Sequence, residues 1–245
     1  MRSFLDRCDR PIAGVLIGYP GADRIGAGAR GFWRATLEIA GVMAHSGSSR
    51  DSGTNAVAKA AQLVVWLAEW QERLAREIAD DFPLPPKATV TRIDGGGEFS
   101  VVPDRCEIGL DVRLTFSFAA DAAEAQVRAL LDRLDKQHSC PRRSRIVAQS
   151  SRPAYRLPAD SPIAAALGRA GERILRRPLP FVVTGPSNDG NLLAERGIPA
   201  TCGFGAAYRN IHAPDECVDV SSLAPAFRVY EAALEELLGT ERTAE

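Results

Sequence analysis

In the stretch 203–216, Gly-Phe-Gly-Ala-Ala-Tyr-Arg-Asn-Ile-His-Ala-Pro-Asp-Glu, the residue with the most chemical capacity is His212. Neutral imidazole is the commonest protein ligand for zinc, and a neighbouring carboxylate, here Asp215 or Glu216, can orient the ring. Taken alone, a loop histidine is more often an ordinary surface residue, so both readings stand. Three further segments carry groups that could do chemistry. In Gly41-Val-Met-Ala-His45-Ser-Gly47, His45 is either a polar strand end or a hydrogen-bond donor to a reacting group. Behind Val101-Val-Pro103-Asp104 comes Asp111-Val-Arg113, whose guanidinium is a solvated strand arginine or a clamp that grips a carboxylate through two parallel hydrogen bonds. Gly185-Pro-Ser-Asn-Asp189-Gly190 opens a helix, with Ser187 expected as its N-cap.

In this order, over nearly the whole chain, the four segments resemble the aminoacylase, carboxypeptidase G and succinyl-diaminopimelate desuccinylase family of di-zinc amide hydrolases. The resemblance implies that His212 is the last metal ligand, with zinc, or cobalt or manganese in its place, as cofactor. It implies that His45 sits on a lid domain and steadies the oxyanion in the partner subunit's active site, an effect of about 3 kcal/mol. Arg113 then clamps a substrate carboxylate, and Asp189, with Ser187 and Asn188, shapes the substrate site. The implied partners are a second copy, through the lid, and a small amino-acid-derived substrate.

The sequence also departs from the family pattern. Gly18-Tyr19-Pro20 stands where the family has a metal-binding glutamate, and a phenol with an ordinary pKa of about 10 is a poor zinc ligand. Asp23 is the nearest substitute. Ser100 occupies a place where asparagine is usual. The family's His-x-Asp motif, bridging aspartate and Glu-Glu pair do not occur ahead of the lid; Glu235-Glu236 falls on the last helix. The expectation is the lid plus C-terminal part of a hydrolase of amide bonds in N-acyl amino acids or small peptides, truncated and inactive alone. The alternative is a non-enzymatic dimerisation or carboxylate-binding protein that keeps the lid. A metal-independent hydrolase using Cys217 and His212 is a more distant third.

Composition narrows the classes. The 245 residues carry a formal net charge of -1 with interspersed signs, so no basic patch offers itself to nucleic acid. No apolar run reaches the roughly 18 to 20 residues of a membrane span, and the N-terminus lacks an apolar signal core, which gives a cytoplasmic expectation. Five cysteines, odd in number and without a Cys-x-x-Cys pair, fit reduced thiols. Gly26-Ala-Gly-Ala-Arg-Gly31 has dinucleotide-loop spacing but precedes a strand, so it is a false match.

The elements that must hold these residues follow from periodicity. Residues 12–18 form an apolar run expected as a strand buried on both faces. From 29 to 43 a strand is expected with Phe32, Ala35, Leu37 and Ile39 inward. A helix over 55–78, capped by Thr54 or Ser52, has a stripe of Val57, Ala60, Ala61, Val64, Leu67, Ala68, Leu74 and Ile78. Strands near 87–93 and after 101, a helix over 121–136 and a strand at 146–148 complete a strand-helix-strand-strand-helix-strand order, the ferredoxin-like pattern. Beyond 156, helices at 161–177, 188–196 and 221–238 alternate with strands at 181–184 and 197–203. The fold class is α/β: an incomplete doubly wound catalytic domain (1–29 and 157–245) with an inserted ferredoxin-like lid and dimerisation domain (30–156).

Overall fold

A computed structural model describes residues 2–77, 82–138, 140–158 and 160–239. Ile78 and the Asp80-Asp81 pair expected to end the first long helix lie outside the described residues. The chain forms two compact units, Arg30–Ala154 and the combination of Met1–Ala29 with Tyr155–Glu245.

In the Arg30–Ala154 unit, four antiparallel strands lie in the order Lys87–Gly95, Arg105–Leu114, Gly31–Ala40, Arg145–Arg152. Helices Ala56–Leu74 and Ala120–Gln137 share one core with the sheet. The alternation in the Arg105–Leu114 strand is strict: Cys106, Ile108, Leu110, Val112 and Leu114 are all buried. In the Gly31–Ala40 strand the inward set is Trp33, Ala35, Leu37 and Ile39, and Phe32 lies only half-buried. Period two cannot place residues 32 and 35 on one face, so the expectation for Phe32 was out of phase. Phe32 instead carries the Arg34 guanidinium 4.5 Å from its ring centroid.

The first long helix is capped by Asn55, whose side chain accepts from the amides of Val57 and Ala58, not by Thr54 or Ser52. Its buried face runs through Leu63, Trp66, Trp70 and Leu74, while Ala61 and Ala68 face outward. The same face buries Lys59. Its ammonium donates to Ala40 O at 2.7 Å and to Asp135 Oδ1 at 2.9 Å. Asp135 also accepts from the Ser144 amide and hydroxyl, at 2.7 and 2.8 Å. Burial raises the carboxyl's pKa, but the Lys59 and Ser144 hydrogen bonds outweigh it and hold Asp135 below the usual range.

The sheet face away from the helices is a charged lattice. Glu38 joins Arg105 and Arg145, Glu107 joins Arg92 and Arg105, and Asp111 joins Arg34 and Arg113. Arg105–Glu107 and Arg113–Asp111 lie along one strand and the other pairs cross strands, an arrangement that suits a wetted surface.

The other unit is α/β. Val15–Gly18 runs parallel to Ala200–Phe204, and Phe181–Thr184 runs parallel to Ile25–Ala29, whose far side pairs antiparallel with Tyr155–Arg156. Val15, Leu16 and Ile17 are half-buried and Gly18 is exposed. The expectation of burial on both faces fails because, among the described residues, this strand has one hydrogen-bonded neighbour. The fully buried strands are Ala200–Phe204 and Ile25–Ala29, the latter overlapping the Gly26–Gly31 segment. Its glycines are needed for close approach: a Cβ on Gly26 would lie 1.2 Å from Cys202 O, and one on Gly28 would lie 2.6 Å from Tyr155 O. Tyr155–Arg156, expected to close the lid, belongs to this unit.

Helices Pro162–Leu175 and Leu223–Leu238 pack together through small residues, Ala166 and Ala170 beside Ala226 and Ala233. The second of these helices keeps Leu223, Phe227, Leu234 and Leu238 exposed, at 49%, 65%, 46% and 72%. With spacings of four, seven and four residues they form one stripe. Phe227→Ser is expected to change unfolding free energy by no more than about 0.5 kcal/mol, as for a surface position. A larger stability loss in urea titration would mean that Phe227 packs on its own unit. No helix of the described residues is long and apolar enough to cross a membrane.

Candidate functional site

His45 ends the short Ala44–His45 strand, which pairs antiparallel with Val101–Val102. The turn after it is tied to the glycine-rich loop by the Ser46 amide donating to Ser100 O at 2.9 Å and the Ser46 hydroxyl donating to Phe99 O at 3.2 Å. The fold therefore brings His45 and Ser100 together. His45 is exposed. A cleft of about 500 Å³ nearby is lined in part by Met43, Gly96, Glu98, Val101 and Pro103.

Arg113 sits elsewhere. Its strand begins opposite Ala40, close to the His45 turn, and Arg113 pairs with Phe32 at the other end. Eight residues of strand separate Arg105 from Arg113, about 26 Å at the usual rise. Nor is its guanidinium vacant: Nε donates to Asp111 Oδ1 at 2.7 Å and Nη2 to Oδ2 at 3.2 Å. Arg30 is close enough that burial and then repulsion from Arg113 depress its pKa, with Asp111 opposing.

In the α/β unit, His212 lies in a hairpin whose strands, Tyr208–Arg209 and Cys217–Val218, are antiparallel. Asn210, His212 and Asp215 all take positive φ, 55°, 59° and 60°. Three non-glycine residues in the left-handed region within one loop is uncommon, and each costs about 1 kcal/mol or more. Glu216 offsets part of this by accepting the His212 amide at 3.1 Å. His212 and Cys217 are exposed. Tyr19 is half-buried and donates its amide to Phe204 O at 3.1 Å. Asp23 pairs with Arg24 at 3.3 Å on the surface.

The N-cap of the Asp189–Ala194 helix is Asn188, not Ser187. The Asn188 side chain accepts from the Gly190 amide at 2.8 Å, and Asn191 Oδ1 accepts from the Asn188 amide at 2.8 Å, a reciprocal box. Ser187, half-buried, is one residue too early for that geometry. Asn188 Oδ1 also accepts the Tyr155 hydroxyl at 3.0 Å. Tyr155 was visible in the sequence only as a segment boundary. Burial, then the nearby Cys202, raise its pKa, against the Asn188 hydrogen bond. Cys202 is itself pushed up to about 11 by burial and by the Asp189 carboxylate, so it is an inert thiol near neutrality. Asp189 is exposed at the helix start.

Among the described residues, no group of three or more His, Cys, Asp and Glu side chains is placed to hold a metal ion. His212 has the donor chemistry of a zinc ligand, yet neither Asp23 nor Asp189 combines with it into such a group. The described residues therefore do not fit a complete metal centre.

Residues 27–139 match the family model of the peptidase dimerisation domain. The chain is 28% identical over 231 residues to the succinyl-diaminopimelate desuccinylase of Marinobacter nauticus, covering 91% of this chain and 57% of that protein. It is 28% identical over 245 residues to the desuccinylase of Stenotrophomonas maltophilia, covering 97% and 61%. The chain thus spans less than two thirds of these relatives. Its fold matches a tripeptidase from Staphylococcus aureus with a TM-score of 0.72 at 16% identity, covering 94% of this chain and 58% of that one. For the aminopeptidase PepT from Bacillus cereus the TM-score is 0.69 at 23% identity, covering 91% and 56%. Residues 27–139 thus match a peptidase dimerisation domain, and over most of its length the chain is similar to succinyl-diaminopimelate desuccinylases and shares the fold of the two peptidases.

Proposed function

We propose that this chain supplies the lid and the C-terminal part of the catalytic unit of a zinc-dependent hydrolase that cleaves amide bonds in N-acyl amino acids or small peptides. Alone it is inactive. The observation that carries this reading is the His212 hairpin: a conformationally constrained imidazole without two further ligands among the described residues. The other ligands and the base come from further polypeptide, for which the exposed stripe of Leu223, Phe227, Leu234 and Leu238 is a suitable contact.

Two copies associate through the dimerisation domain. The separation of His45 from Arg113 supports that arrangement, because a substrate carboxylate held near one copy's Arg113 lies beyond reach of the same copy's His45. A second copy's His45 fills the need. Asp111 holds the Arg113 guanidinium in a fixed plane, so substrate binding there requires sharing or displacing that pair. That internal partner weighs against simple carboxylate binding by the lid as the chain's whole function.

The test is elemental analysis of the purified chain after exposure to excess zinc, beside His212→Ala, with hydrolysis assays on N-acyl amino acids and dipeptides. The expected result is no stoichiometric zinc and no turnover in either protein. One or two tightly held zinc ions lost in His212→Ala, with turnover, would refute the need for further polypeptide.

A further inference from the structure

We propose that the Gly47 backbone amide is the positioning group for His45 and holds its ring as the neutral Nε2-H tautomer, so that the outward edge of the imidazole is a hydrogen-bond donor. The Gly47 amide points at His45 Nδ1 across 3.1 Å. An amide nitrogen can only donate, so the atom facing it must present a lone pair, and the ring proton then resides on Nε2. The turn is braced on both sides. Ser48 donates its amide to His45 O at 2.9 Å, and Ser46 donates to Ser100 O at 2.9 Å. His45 is thus fixed at its carbonyl, at one ring nitrogen and, through Ser46, against the loop that carries Ser100.

The assignment rests on the reading of His45 as an oxyanion donor and adds what that role needs. A lone pair at Nε2 would repel a developing negative charge, whereas an Nε2-H group stabilises it. A backbone donor sets this state without another titratable side chain. Glycine is not required sterically: a Cβ at position 47 would meet His45 Cε1 and Nδ1 at 3.4 Å, ordinary contact.

The experiment is long-range proton-nitrogen NMR on the intact, nitrogen-15-labelled chain at mildly alkaline pH. The chain has three histidines, and His45→Gln assigns the His45 signals by their loss. The expected result is a single His45 tautomer with Nδ1 unprotonated and a scalar coupling across the hydrogen bond from the Gly47 amide nitrogen. Gly47→Ala keeps this pattern. Gly47→Pro, which removes the donor, abolishes the coupling and lets both tautomers appear. A protonated Nδ1 in the unaltered chain, or the same tautomer mixture with and without the Gly47 amide, would overturn the assignment. Hydrolysis plays no part in the readout, so an inactive chain with this signature upholds it. Failure of the proposed function would instead show as an unchanged kcat for His45→Gln in a completed enzyme.

Discussion

Lys59→Met is expected to destabilise the dimerisation unit by about 3–5 kcal/mol, because removing one member of a buried ion pair leaves the other charge uncompensated. Lys59 and Asp135 have side chains only 1% and 4% exposed. Every oxygen in the network has a donor, and Lys59 also satisfies Ala40 O at the end of its strand. The double change Lys59→Met with Asp135→Leu should recover a large part of the loss, since an apolar pair of similar volume has no charge to strand. Urea unfolding followed by tryptophan fluorescence measures this unit selectively, because Trp33, Trp66 and Trp70 are the three tryptophans of the chain. A cost below about 1 kcal/mol would mean that water reaches the pair.

The same network has a pH signature. Asp135 titrates below the usual carboxylate range in the folded chain, and an unfolded aspartate titrates near about 3.9. Its contribution to stability is therefore complete above that value and is lost as pH falls through the lower folded pKa. In Lys59→Met burial acts with less opposition and pushes the carboxyl up, so the variant gains stability by binding a proton as it folds. The gap between the two proteins should narrow on acidification from about pH 7 to 4.5, measured as the difference in urea midpoints. A gap that widens would assign the depressed pKa to another cause.

Gly26→Ala is expected to unfold the α/β unit while leaving the dimerisation unit folded. The added Cβ would fall 1.2 Å from Cys202 O and 2.4 Å from the carbonyl carbon, both main-chain atoms of the buried Ala200–Phe204 strand. No rotamer can relieve such an overlap. The cost should exceed the usual 1–3 kcal/mol of overpacking, about 3 kcal/mol or more. Gly18→Ala is the control, with nothing within 4 Å of its Cβ. The four tyrosines, Tyr19, Tyr155, Tyr208 and Tyr230, all fall in the α/β unit. Near-ultraviolet dichroism should lose tyrosine signal in Gly26→Ala and keep the tryptophan bands. Retention of both would show that the two strands can separate without loss of packing.

These variants also bear on function. The Ala200–Phe204 strand leads toward the hairpin that carries His212, and the Tyr19 amide is bonded to Phe204 O. Gly26→Ala therefore disturbs the support of His212 while leaving His45 on an intact lid. Measuring the Gly47 coupling in this variant would show whether the His45 turn depends only on its own unit; the hydrogen bonds described for it come from residues 44–102, all in the Arg30–Ala154 unit.

What the amino-acid sequence determined by itself is the part governed by short-range periodicity. Alternation from Cys106 to Leu114, the helix over Ala120–Gln137 and the order of the lid elements were all legible, because a half-buried strand or helix repeats its apolar residues at a period set by its own geometry. The motif order was legible too, since His45, Arg113 and His212 stand in contiguous, characteristic segments. Tertiary structure decided where the deciding contact comes from a distant strand or helix. Ile25–Ala29 is a buried strand made of alanine and glycine because the main chains at Cys202 and Tyr155 leave no room for side chains, and no local pattern encodes that. Lys59 is buried because Asp135, 76 residues later, accepts its ammonium at 2.9 Å, a pairing that no local pattern encodes. Asn188 rather than Ser187 is the cap because the helix starts at Asp189, and the Tyr155 hydroxyl, 33 residues earlier, also donates to Asn188 Oδ1. His45 follows the end of the central strand where Arg105 lies, and Arg113 lies at the other end, about 26 Å along the strand from Arg105. Periodicity specifies which face is apolar; only the assembled backbone specifies what that face, and each charge on it, will meet.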